Sequence, residues 1–121
     1  MLTPDDFRRL ALSLPEATES EHFHTPDFRV RGRIFATLWP GHGRGVVALT
    51  REQQEMLCDA EPAMFARIKG AMGAKGWTDV ILAEADEITA LSALTMAWRS
   101  RAPKRLVAAI DGAASATPPR P

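Results

Sequence analysis

Three arginines, Arg29, Arg31 and Arg33, alternate around one glycine, Gly32, and a fourth, Arg44, follows the glycine-rich stretch 40–45. A guanidinium is a planar fork that donates two parallel N–H bonds to a phosphate or carboxylate. Arginines crowded on a hairpin tip are therefore suited to gripping phosphodiester oxygens. The competing role is a solvated sheet surface, its cations paired with Glu19, Glu21 or Asp27 of a neighbouring strand. A second basic cluster holds Arg99, Arg101, Lys104 and Arg105. There, charge compensating the negative end of a helix is an equal explanation. Lys75 lies in Gly73-Ala-Lys-Gly76, the Gly-x-x-Gly spacing of a KH-type clamp. A strand rather than a helix is expected after it, at Trp77, so an ordinary turn is the simpler account. The same segment lacks the Lys-Ser/Thr pair of a P-loop.

Other reactive side chains form no constellation. His22 and His24 alternate along one expected strand and, with Glu21 or His42, would make an incomplete metal set. Cys58 has no predicted base beside it and reads as a structural thiol. No nucleophile, base and oxyanion donor stand together, so no catalytic residue, metal or cofactor is assigned. Trp77 and Trp98 occupy apolar-face positions that suit core packing. Trp39, beside Pro40 and the glycine loop, is the aromatic residue suited to partner contact or base stacking.

The chain that must position these groups has 121 residues, 45% hydrophobic and 25% charged, with zero formal net charge. That describes one globular domain and counts against a dedicated nucleic-acid binder, which is usually basic. Charge is segmented, with acidic stretches alternating with basic ones. The lone cysteine excludes an internal disulfide. The first residues lack a signal-peptide pattern, and no apolar run approaches the ~18 residues of a membrane span. A cytoplasmic protein without membrane contact is expected.

Thr3, Pro4, Asp5 and Asp6 cap and open a helix, and Phe7, Leu10, Ala11 and Leu14 give it one apolar stripe over about 4–13. Glu19–His24 is read as a polar edge strand and Thr25-Pro26-Asp27 as a turn. The sheet core begins at Phe28. A three-residue turn there, with Val30 opposite Ile34 and Arg33 exposed at the tip, is preferred over a two-residue turn at Arg31-Gly32. Thr50 and Gln53 form a capping box for a second helix, whose stripe is Gln53, Met56, Leu57, Ala60 and Met64. Phe65–Lys69 is a short strand, 70–76 a loop, and Trp77–Leu82 a strand with Thr78, Val80 and Leu82 on one face. Asp86 caps a third helix over 86–100, with Ile88, Leu91, Leu94, Thr95 and Trp98 inward. Pro103 opens a last helix through Ile110 that Gly112 stops. The domain spans 1–110, with a disordered tail over 111–121.

Short connections imply antiparallel pairing, and single-stripe helices imply a two-layer α+β sandwich of about five strands with helices on one face. The order is α-β-β-β-α-β-β-α. Six stretches, in this order and spacing, resemble the MmcQ/YjbR family: Thr3-Pro-Asp-Asp-Phe7, Ala11-Leu-Ser-Leu-Pro-Glu16, Phe28-Arg-Val-Arg-Gly-Arg-Ile-Phe-Ala-Thr-Leu38, Val47-Ala-Leu-Thr50, Gly76-Trp77-Thr78 and Ala102-Pro-Lys-Arg-Leu106. The resemblance implies a topology similar to type III secretion chaperones and to a double-wing DNA-binding motif. It implies no catalytic motif, and it points to Arg29, Arg31 and Arg33 as wing positions. The expected function is weak, non-specific DNA binding through Arg29, Arg31, Arg33, Arg44, Lys75, Lys104 and Arg105. The alternative is a protein-interaction or chaperone-like module, with Trp39 at the contact. A monomer or weak dimer is expected.

Overall fold

The computed structural model describes residues 1–115. Helix α1 (Pro4–Leu12) precedes strands β1 (Ala17–His22), β2 (Thr25–Val30), β3 (Arg33–Trp39) and β4 (Arg44–Ala48). Helix α2 (Arg51–Ala60), strand β5 (Phe65–Arg67), one-turn helix α3 (Ala71–Ala74), strand β6 (Trp77–Ile81) and helices α4 (Glu87–Arg101) and α5 (Lys104–Ser115) follow. The strands form one antiparallel sheet in the order β1-β2-β3-β4-β6-β5. The architecture is the expected α+β arrangement, with six strands. The predicted capping box of Thr50 with Gln53 forms, and the predicted N-cap Thr3 makes a second one with Asp6.

Alternation along the strands separates two faces. Phe28, Val30, Ala36, Leu38, Val47, Phe65 and Val80 are buried against the helices. From α1 come Phe7, Leu10 and Ala11, and from α4 come Ala90, Ala93, Leu94, Ala97 and Trp98. The ring of Phe7 lies where a side chain on Gly45 would stand, so the central strand β4 is bare at that point and α1 settles directly on it. Phe7 also meets Phe28 edge-on, ring centroids 6.2 Å apart.

Several local expectations are corrected. Thr25-Pro26-Asp27 opens β2; the turn before it is Phe23-His24, whose φ angles are 49° and 63°. The next hairpin uses the two-residue turn Arg31-Gly32, with φ of 50° and 81°, and Val30 faces Arg33. Both turns have positive φ at both central residues, as type I′ hairpins require. A bulge resolves the packing conflict that favoured a longer turn: Arg29 pairs with Ile34 but Phe28 with Ala36, so Phe35 is the extra residue and is buried.

Helix α4 buries its alanines, while Ile88 is 84% exposed. Small residues let the helix approach the sheet. In α2 the inward residues are Gln54 and Leu57, and Met56 is exposed. The loop expected over 70–76 contains α3. Helix α5 passes through Gly112, a glycine that costs only about 1 kcal/mol among alanines. The disorder expected of the tail falls, for 116–121, outside the described residues. No helix among the described residues is long and apolar enough to cross a membrane.

The seating of Phe7 on Gly45 makes a direct test. Gly45→Ala drives a methyl group into the ring and is expected to lower unfolding stability by about 1–3 kcal/mol, the range of overpacked cores, measured by urea denaturation.

Candidate functional site

The helices leave one face of the sheet open, and alternation decides which residues stand on it. They are Asp27 and Arg29 of β2, Ile34, Thr37 and Trp39 of β3, Arg44 and Val46 of β4, Trp77, Asp79 and Ile81 of β6, and Ala66 of β5. The part of this face on β3, β4, β5 and β6, together with Ile68 and Met72, shapes a trough. Its larger part, about 630 Å³, is lined by Trp39, His42, Arg44, Val46, Ala66, Arg67, Ile68, Lys69 and Asp79. An adjoining part of about 330 Å³ is lined by His22, Ile34, Thr37, Trp39, Val46, Ile68, Met72 and Trp77. The floor is apolar and the rim charged. Trp39 is 41% exposed and Met72 48%. The Trp39 indole donates to Thr37 Oγ1 at 3.1 Å, which holds the ring on the trough.

Three of the four hairpin arginines are occupied. Arg29 donates to both oxygens of Asp27, at 2.8 and 3.0 Å, and the Asp27 side chain is fully buried. The His22 Nδ1–H donates to the same carboxylate at 2.7 Å. The tautomer follows because an ionised carboxylate only accepts. The Arg29 guanidinium, and secondarily His22, hold the Asp27 carboxyl below its ordinary value against the opposing effect of burial. Arg31 makes a two-pronged pair with Glu16 across the neighbouring turn. Arg44 reaches Asp79 at 3.0 Å. Arg33 has no carboxylate partner among the described residues.

The second cluster also divides. Arg99 pairs two-pronged with Asp111 at 2.8 Å, linking α4 to α5. Arg101 lies over the Trp77 ring, 5.4 Å from its centroid, and its buried Nε has no hydrogen-bond partner. Burial, and then the like charge of Arg33, lower the pKa of Arg101. The fold therefore brings the hairpin tip and the end of α4 together. Lys104 and Arg105 begin α5 and are exposed.

Lys75 is exposed at the end of α3, away from a helix–loop–helix clamp. Its flanking glycines are packing positions: a side chain on Gly73 would strike the Ile68 carbonyl, and one on Gly76 the Leu49 carbonyl. His22 and His24 do not share a strand face, because His24 is a turn residue. No group of three His, Cys, Asp or Glu side chains gathers among the described residues. Cys58 is half-buried, and burial pushes its thiol up. Trp98 packs in the core and donates to the Pro15 carbonyl at 2.9 Å. Trp77, expected in the core, is half-buried on the open face instead. Asp79, Ile68 and Met72 were not singled out by sequence. For Asp79 the signal was present, since it alternates with Trp77 and Ile81 opposite the buried Thr78 and Val80.

A single antiparallel sheet, helix-covered on one side and bearing an open trough on the other, defines a small α+β protein with a two-faced sheet. The YjbR family model matches residues 12–100, and the chain belongs to that family. The fold is similar to that of Deinococcus radiodurans protein DR2400, a crystal structure carrying a DUF419 domain. It matches at a TM-score of 0.67 and 24% identity, over 81% of this chain and 77% of that one. Among curated proteins, none matches this chain.

Asp79 supplies a pH test. Its side chain is only 14% exposed, and burial raises its pKa while Arg44 pulls partly the other way. A carboxyl raised by folding binds protons more readily folded than unfolded, so ionising it costs stability. That cost is absent below the ordinary carboxylate value and complete above the raised one. Asp79→Asn is expected to be more stable than the parent at pH 7. The difference should vanish near pH 3, with both read from urea midpoints. The half-exposed Arg44 loses little on parting from it.

Proposed function

We propose that this protein is a non-catalytic interaction module that takes an apolar segment of a partner protein onto the open face of its sheet. The observation that carries this is the trough, where Trp39, Ile68, Met72 and Trp77 surround a floor that no helix covers. Tryptophan and methionine are side chains enriched at protein interfaces, and a contiguous apolar surface facing water marks a contact site. Occupation of Arg29, Arg31 and Arg44 by carboxylates supports the same conclusion, since those arginines would otherwise be the phosphate grips. Zero net charge agrees with it. The nearby titratable groups make ion pairs and do not assemble a nucleophile with a base, in keeping with binding rather than catalysis.

A second function, weak nucleic-acid binding, is favoured by one specific feature. Arg33 and Arg101 lie near one another without a carboxylate among the described residues, and Lys104 and Arg105 follow at the start of α5. Of the candidate phosphate contacts, this reading keeps Arg33, Lys104 and Arg105 and adds Arg101.

Two measurements separate these functions. Anilinonaphthalene sulfonate, an apolar dye with one anionic group, is expected to fluoresce on the native protein with energy transfer from Trp39 and Trp77. Ile68→Glu/Met72→Glu should abolish the signal without moving the urea midpoint. A native protein that leaves the dye dark overturns the trough as a docking surface. Fluorescence anisotropy of a labelled duplex tests the second function. Binding that falls steeply with salt and is lost in Arg33→Glu/Lys104→Glu supports it; no binding at low salt removes it.

A further inference from the structure

We propose that the trough ends in an anion seat made by Arg101 and Arg33, and that the docked protein segment places a carboxylate there. The inference rests on the open face being a docking surface and specifies the chemistry of what docks.

Most arginines in the structure have an acceptor. Arg8, Arg9, Arg29, Arg31, Arg44, Arg51 and Arg99 each lie within ion-pair distance of an Asp or Glu. Arg101 does not, among the described residues, although its Nε is the one guanidinium nitrogen there that is both buried and without a partner. An arginine cannot shed its proton to escape burial. A buried donor left unmade costs about 1–3 kcal/mol, and here a second cation, Arg33, is close enough to add repulsion. An external anion on the outer N–H edge of the guanidinium offsets that repulsion. The cation–π contact with Trp77, 5.4 Å from the ring centroid, holds the Arg101 guanidinium beside the trough.

Trp77 is shared between the seat and the trough, so anion and apolar groups must arrive on one ligand. The floor beside it is Ile34, Val46 and Ile68, which the sugar-phosphate chain of a nucleic acid has no groups to fill. A protein segment with apolar side chains next to an Asp or Glu satisfies both. Arg67, opposite Thr78, and Lys69 line the β5 side of the trough and also have no carboxylate partner among the described residues. The fitting segment carries acidic residues on both sides of its apolar ones.

The test uses a fluorescein-labelled peptide, Glu-Glu-Leu-Phe-Leu-Glu-Glu, and its counterpart with every Glu replaced by Gln. The parent protein is expected to bind the acidic peptide at least ten-fold more tightly by anisotropy. Arg101→Gln should erase that preference, and the Arg101 Nε–H signal in a ¹⁵N spectrum should shift with the acidic peptide alone. Equal binding of both peptides, or a preference that survives in Arg101→Gln, overturns the seat while leaving the trough as a docking surface. If neither peptide binds, the docking surface and the seat fail together. Displacement of the acidic peptide by duplex DNA, with the same Arg101 signal shifting, assigns the seat to phosphodiesters and overturns the carboxylate.

Discussion

The contact of Phe7 with the bare backbone at Gly45 sets the distance between the two layers. A helix packed on a sheet normally stands off by the thickness of two side chains. Here one side is missing, so α1 descends onto β4 and its aromatic ring fills the space that Phe28 shares from the neighbouring region of the sheet. Helix α4 meets the same condition by another route, presenting alanines at Ala90, Ala93 and Ala97 and reserving bulk for Leu94 and Trp98. Close approach on one face places the apolar core there, and the alternate residues of each strand face away from it.

That leaves the second face to make its own terms with water, and it does so unevenly. Toward β1 and β2, the buried Asp27 carboxylate is closed over by Arg29 and His22, so charge is consumed internally. Toward β6 and β5, apolar side chains and two tryptophans border a trough, and Arg44 with Asp79 crosses its rim. The two halves of one sheet face thus differ in kind: one is a satisfied polar network, the other an open apolar surface. A hairpin rich in arginine gains its character from this division. Arg29 is drawn into the network and Arg31 is drawn to Glu16, so the surface potential of the tip is far smaller than its composition implies.

Much of the fold was legible because local rules and tertiary packing agree. The caps at Thr3, Thr50 and Asp86 predicted helix starts, since a side-chain oxygen at those positions satisfies an N–H the helix cannot. Alternation over Thr78, Val80 and Leu82 predicted the buried face of β6. The failures occurred where periodicity had competing solutions. Both hairpin turns use non-glycine residues at positive φ, Phe23, His24 and Arg31, a conformation that such residues seldom adopt. The bulge at Phe35 then shifts the register in a way no pattern of apolar residues announces. Gln54 was passed over for Gln53 because a stripe phased on Met56 points Gln53 inward, whereas Met56 is in fact exposed. Its amide finds three acceptors, the Gly73 and Trp77 carbonyls and Thr78 Oγ1, only once α2, α3 and β6 have been brought together.

By itself the sequence determined the α+β class, the capped helices, the alternation of Thr78, Val80 and Leu82 and the family, because those depend on residues near one another along the chain. Which charges are free was decided only by tertiary structure, because an ion pair depends on what lies opposite. Asp27 and Glu16 satisfy Arg29 and Arg31, and Asp111 satisfies Arg99, while Arg33 and Arg101, distant in sequence, meet without a counterion among the described residues. The trough belongs to the same category. Its lining comes from every strand but β2 and from the α3 turn, and it exists only because the long helices α1 and α4 lie on the far side of the sheet.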